Sequence, residues 1–184
     1  MIMSKVMVIT GGAASGKSRW AVSYLEECDN VLYLCTSPEI DADTKKRIEF
    51  GNEKNFVQWD IHTGVTEEPA KDFENHKFFI FDNLGSYVSA KIKELCPNVD
   101  AMTHDVKKNI EKSIIGDISL MLDKTSMIDG TLIIITTEMG FSVLPDNKEQ
   151  VAFREILGNV NQRIANLSNE VYLSVSGIQF KIKG

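Results

Sequence analysis

Residues Gly11-Gly12-Ala13-Ala14-Ser15-Gly16-Lys17-Ser18 satisfy the pattern G-x-x-x-x-G-K-[ST]. They stand between a short β-branched run, Val6 to Thr10, and a stretch from Ser18 to Cys28 with apolar residues at helical spacing. This motif confines the fold, because it works only where a buried strand hands over to a helix N-terminus. Its glycines let successive backbone N–H groups turn inward and cradle phosphate oxygens. Lys17 is then expected on the β- and γ-phosphates and the Ser18 hydroxyl on Mg²⁺. A chain with this segment in this setting is expected to bind a nucleoside triphosphate, GTP or ATP.

The rest of the chain alternates in the same way. Apolar runs at Val31 to Cys35, Phe78 to Phe81, Thr131 to Thr136 and Val171 to Val175 read as buried strands. Phe56 to Ile61 reads as a further short strand. Helical patterns cover Asp41 to Glu49, Leu84 to Leu95, about Ala101 to Asp123, and a segment introduced by Pro145 and Asn147 that runs to Leu167. Another helix start is expected at Pro69, behind Glu67 and Glu68. In Gln179 to Lys183, Phe180 and Ile182 alternate with Lys181 and Lys183, the pattern of an antiparallel edge strand. The prediction is an α/β fold over residues 1–184 as a single P-loop nucleotide-binding domain. Its sheet is mostly parallel, with helices on both faces and a C-terminal antiparallel edge.

A P-loop also needs acids, one for the metal and one for the attacking group. Asp82 and Glu138 each follow an apolar strand at its carboxyl end, where ligands bind in open α/β sheets. Asp82 is the expected Mg²⁺ ligand together with Ser18, and Glu138 a base or metal-shell group. Lys17, Asp82 and Glu138 form the expected catalytic set. His62, His76 and His104 lack metal-ligand spacing and read as solvated or capping residues. The run Asp41 to Arg47 reads as a charged helix face, and Arg154 and Arg163 as surface ion pairs.

A formal net charge of −6 opposes a nucleic-acid surface. Three cysteines without C-x-x-C spacing suit reduced thiols. Met1 to Lys5 is too short and too polar for a signal peptide, and no apolar run approaches a membrane span. The expectation is a cytoplasmic protein with no membrane partner.

Several separated segments coincide with one family. They are Ile9-Thr10-Gly11-Gly12 with Ser15-Gly16-Lys17-Ser18-Arg19, Tyr33 to Ser37, and Arg47-Ile48 with Trp59. Further on come Glu138-Met139-Gly140, Val143, Pro145, Phe153-Arg154, Gly158, Val160-Asn161-Gln162-Arg163 and Val175-Ser176-Gly177-Ile178. On these residues the chain resembles the bifunctional adenosylcobinamide kinase/adenosylcobinamide-phosphate guanylyltransferases of cobalamin biosynthesis. The resemblance implies a RecA-like P-loop fold, a homotrimer, and phosphorylation of the aminopropanol hydroxyl of adenosylcobinamide with GTP or ATP. It also implies transfer of GMP from GTP to that phosphate. By position it puts Gly11, Gly12, Ala13, Ala14, Ser15, Gly16, Lys17 and Ser18 on the triphosphate and Cys35, Thr36 and Ser37 along the nucleotide. Further nucleotide contacts are implied for a loop of Asn52, Glu53, Lys54 and Asn55, and for Glu67 and Asp82.

One position departs from the pattern. The family's guanylyl transfer uses a histidine a few residues after the Arg-Ile pair, and that position falls on Gly51 here. Covalent catalysis needs a positioned nucleophile. The expectation is therefore a retained kinase step with the transferase step weakened or lost. A catalytically impaired regulatory protein and a P-loop kinase for another small alcohol are the alternatives.

Overall fold

A computed structural model describes residues 4–71, 73–140 and 146–184. Its centre is a seven-stranded sheet in the order β3-β2-β4-β5-β1-β6-β7. The strands are β1 (Lys5–Gly11), β2 (Val31–Cys35), β3 (Trp59–His62), β4 (Phe78–Asp82), β5 (Thr131–Ile135), β6 (Glu170–Val175) and β7 (Ile178–Lys183). All pairings are parallel except β6 with β7. The helices are α1 (Lys17–Leu25), α2 (Ala42–Asn55), α3 (Leu84–Leu95), α4 (His104–Met127) and α5 (Lys148–Leu167).

Strand residues alternate between two buried layers, which explains why the strands are apolar throughout. Val6, Val8, Leu32, Leu34, Phe79, Phe81, Leu132 and Ile134 pack against α3, α4 and α5. Met7, Ile9, Val31, Tyr33, Ile80, Ile133 and Ile135 pack against α1 and α2. Burying each such large apolar side chain contributes about 1.5–3 kcal/mol, before chain entropy is counted. On α4 the row Ile110, Ile114, Ile118 and Met121 is buried, as its spacing predicts.

Three expectations are corrected. Phe56 does not begin a strand: at φ 56° it closes α2, and the Val57 amide reaches back to the Asn52 carbonyl. The third strand therefore starts only at Trp59, and α2 extends well past Glu49 to Asn55. Pro69 does not open a helix either. The chain turns there, the Ala70 carbonyl accepts a hydrogen bond from Lys124 Nζ at 2.9 Å, and Phe73 stacks on Phe79 with ring centroids 3.9 Å apart. Among the described residues there, only a short 3₁₀ turn, Phe73–Asn75, forms before β4.

The sheet edge is held by charge at its foot. Glu170 accepts hydrogen bonds from Lys181 Nζ at 2.8 Å and the Tyr172 hydroxyl at 2.8 Å, and pairs with Lys5 Nζ at 3.1 Å. Burial alone pushes this carboxyl up, but those donors more than offset it and hold its pKa at about 2 instead of the ordinary 4.5. A depressed acid stabilises the fold above its unfolded pKa, and that contribution is lost as pH falls through the folded value. Glu170→Gln is expected to be less stable than the parent at pH 7 in urea unfolding. The difference should shrink below pH 4.5 and vanish near pH 2. A gap that stays constant with pH would show that the carboxylate charge contributes nothing.

Candidate nucleotide site

The glycine loop lies between β1 and α1 at the carboxyl edge of the sheet. Two of its glycines are required by their surroundings. Gly11, at φ +148°, lies so close to β6 that a Cβ would stand 2.2 Å from the Ser174 carbonyl oxygen. Gly16 caps the start of α1 at φ +95°, and a Cβ there would meet Gly177 Cα at 3.3 Å. The turn between β6 and β7 thus presses on the loop, and it also bonds to it. The Ser15 carbonyl accepts from Ser174 Oγ at 2.6 Å and from the Gly177 amide at 3.0 Å. This explains physically why a Val-Ser-Gly segment far along the chain accompanies the loop.

Lys17 Nζ donates to the Gly11 and Gly12 carbonyls at 3.0 and 2.6 Å. Burial lowers its pKa, and the Asp82 carboxylate works against that shift. Asp82 ends β4, two strands away from β1 with β5 between them. Its Oδ2 accepts a short hydrogen bond from the Tyr33 hydroxyl. Burial and that carboxylate push the Tyr33 hydroxyl far above its ordinary pKa, so it stays protonated and donates. That hydrogen bond fixes the orientation of the Asp82 side chain.

A groove of about 1300 Å³ runs from the loop across the ends of β2 and β4. Ala14, Ser15, Gly16, Lys17 and Ser18 line one side, and Cys35, Ser37, Asp82 and Asn83 the floor. Asp41, Asp43, Thr44 and Arg47 line the other side, so this run is not simply a solvated helix face. Asp41 caps α2 by accepting from the Thr44 amide at 2.9 Å, and Arg47 chelates Asp43 at 2.9 and 3.0 Å. The donor chemistry suits Mg²⁺, a hard cation taking oxygen ligands and usually held by one or two protein groups plus phosphates. Ser18 and Asp82 supply that kind of oxygen on one groove.

Other expected residues lie elsewhere. Gly11, Gly12 and Ala13 form the start of the loop, beyond the groove wall. Thr36 is buried and spends its hydroxyl on the β4–α3 junction, donating to the Asn83 carbonyl at 2.9 Å and accepting from the Asn83 amide at 2.9 Å. Asn52, Glu53, Lys54 and Asn55 form the last turn of α2 rather than a loop, and they do not line the groove. Asn55 Nδ2 bonds to the Glu26 carbonyl at 2.8 Å and Lys54 pairs with Glu26, which tie α2 to the end of α1. Glu67 lines a separate cleft with His62, Pro69 and Lys71. His76 is buried against Asp60 at 2.9 Å rather than solvated. Val143 and Pro145 fall outside the described residues.

Glu138 sits just past β5, where its amide donates to the Gly11 carbonyl at 3.3 Å and its Oε1 accepts from the Gly140 amide at 2.5 Å. It lines a second cavity, on the α5 side of the sheet. Asn161 on α5 holds this strand end, accepting from Thr136 Oγ1 at 2.7 Å and donating to the Thr137 carbonyl at 3.1 Å. Arg154 was expected in a surface ion pair. It instead donates through Nη2 to the Gly140 carbonyl at 3.1 Å.

Comparison with known proteins bears on this arrangement. Residues 7–182 match the model of a family described as cobinamide kinase / cobinamide phosphate guanyltransferase. The chain is 29% identical to the bifunctional adenosylcobalamin biosynthesis protein CobU of Salmonella typhimurium, over 97% of this chain and 99% of that protein. It is 28% identical to the protein of the same name in Escherichia coli, again over 97% and 99%. In fold it resembles the ATP synthase subunit NeqB of Nanoarcheaum equitans, with a TM-score of 0.57 at 10% identity. That match covers 93% of this chain and 45% of the subunit. The fold is that of the P-loop ATPases.

Proposed function

The chain belongs to the cobinamide kinase / cobinamide phosphate guanyltransferase family, and from that premise we propose that it phosphorylates the aminopropanol hydroxyl of adenosylcobinamide with GTP or ATP. The observation that carries this reading is the convergence of Lys17, Ser18 and Asp82 on one groove at the glycine loop. Backbone amides of the loop hold the triphosphate, and Lys17 turns from the Gly11 and Gly12 carbonyls to the β- and γ-phosphates. Ser18 and Asp82 would hold Mg²⁺, which when bound would supply neutralisation of the charge on the phosphates. The acceptor oxygen attacks the γ-phosphorus, a nucleoside diphosphate departs, and Glu138 takes the hydroxyl proton. Holding Glu138 Oε1 on the Gly140 amide orients the carboxylate for that task. A match over nearly the full family length disfavours a regulatory protein or a kinase for an unrelated alcohol.

The second activity is proposed to be weakened or lost. Gly51 lies one helical turn beyond the groove-lining Arg47, at the position of the family's histidine, and offers no nucleophile. His62 belongs to the separate cleft, and among the described residues no histidine lines the groove. Cys35 does line it, but burial raises its pKa and keeps it a thiol.

Product analysis after incubation with adenosylcobinamide and GTP tests both statements. The expected products are adenosylcobinamide phosphate and GDP without the GDP adduct. No phosphorylated corrinoid would overturn the first statement, and abundant adenosylcobinamide-GDP the second.

A further inference from the structure

The cavity beside Glu138 has a volume of about 600 Å³ and runs between α5 and strands β1, β6 and β7. Its walls include the buried apolar residues Val8, Leu157 and Val171. It also has polar lining, with two side-chain groups that are enclosed and have no hydrogen-bond partner among the described residues, Thr10 Oγ1 and Arg154 Nη1. A buried donor left unpaired costs about 1–3 kcal/mol, and more when it is charged. Such groups in a cavity lining mark a place where a ligand oxygen completes the structure.

This lining is also next to the chemistry. The Gly11 carbonyl accepts both from Lys17 Nζ at 3.0 Å and from the Glu138 amide at 3.3 Å. The lysine expected on the γ-phosphate and the backbone of Glu138, at the cavity rim, therefore meet on one residue.

We propose that this cavity receives a primary carboxamide side arm of the corrinoid acceptor, with Arg154 and Thr10 setting acceptor specificity. The inference rests on the kinase reading above. A carboxamide matches this lining better than a phosphate does. Its carbonyl oxygen takes the Arg154 Nη1–H and the Thr10 hydroxyl, and being neutral it leaves the neighbouring Glu138 carboxylate to its role toward the acceptor hydroxyl. A phosphate would face that carboxylate as a like charge. The methylenes of the arm fit the apolar walls, and the corrin ring, which carries several such arms, is too large for the cavity and stays outside.

The test measures adenosylcobinamide and nucleotide affinities separately, by absorbance titration and equilibrium dialysis, in the full chain and in Arg154→Gln and Thr10→Val. Arg154→Gln should raise the Kd and the KM for adenosylcobinamide at least tenfold and leave the nucleotide Kd within twofold. Thr10→Val, nearly isosteric, should raise the corrinoid Kd by a smaller factor in the same direction. A corrinoid with its side-chain amides hydrolysed to acids should bind the parent at least tenfold more weakly, with less of that discrimination in Arg154→Gln. Unchanged corrinoid affinity in both variants, or a parallel loss of nucleotide affinity, overturns the assignment. If the parent neither binds nor phosphorylates adenosylcobinamide, the kinase reading fails and this inference falls with it. A parent that turns over normally beside insensitive variants sinks the inference alone.

Discussion

Lys17→Ala is expected to lower kcat/KM for phosphoryl transfer by roughly 10³-fold, on the scale seen when one preorganised donor to a developing charge is removed. The same change should leave thermal stability equal or higher. Burial lowers the Lys17 pKa, so at neutral pH the folded chain carries that ammonium at a cost that the unfolded chain does not bear. The cost applies below the folded pKa and is relieved as pH rises through it. Activity and stability are therefore expected to move in opposite directions, as in other sites strained for function. Calorimetry beside steady-state assays measures both. A variant that keeps activity within tenfold of the parent would remove the glycine loop from the mechanism.

Gly51→His is expected to create labelling where the parent has none. With GTP labelled in its α-phosphate, the parent should give only background on a denaturing gel, and the variant an acid-labile labelled band. A Cβ built on Gly51 meets no atom within 4 Å, so the side chain branches from the helix without a clash at its first atom. The exchange should also strengthen α2 by a few tenths of a kcal/mol, since glycine inside a helix is unfavourable. The imidazole would stand one turn from Arg47, on a helix whose earlier turns wall the groove. Absence of label from a folded Gly51→His that still phosphorylates adenosylcobinamide would show that the position does not reach the α-phosphate. A labelled parent would mean that another residue already serves as nucleophile.

The features legible in the sequence are those whose cause is local. The glycine loop, the apolar strands and the acid after β4 each follow from a few adjacent residues, and the structure has them within a residue or two. Helix α3 begins and ends where expected because Asn83 caps it, accepting from the Ser86 amide at 2.8 Å, and Pro97 follows its end. Phe56 misled because an apolar residue can close a helix in a left-handed conformation, and here it does so while 96% exposed. The side of α2 bearing Asp41, Asp43 and Arg47 misled for another reason. A helix facing a polar ligand groove has the same hydropathy as one facing water, so only the sheet beneath it tells them apart. Arg154 illustrates the same limit. Its aim depends on how α5 is rotated against β1 and on the course of residues 138–140, and neither is encoded near position 154. Thr36 carried a signal, a hydroxyl at a strand end, but its partner lies 47 residues further on, at Asn83.

The brace between the β6–β7 turn and the glycine loop has a consequence for the order of assembly. Ser15 and Ser174 are 159 residues apart, and the carbonyl they share is the hinge of the phosphate cradle. Closing so long a loop is slow compared with forming the local helix and strand around the motif. A chain still emerging from the ribosome can therefore hold β1, the motif and α1 in sequence while lacking the two donors that set the cradle's shape. Nucleotide affinity should appear late in synthesis, as a step when β6 and β7 dock, so that a triphosphate is captured only by a chain already folded around it.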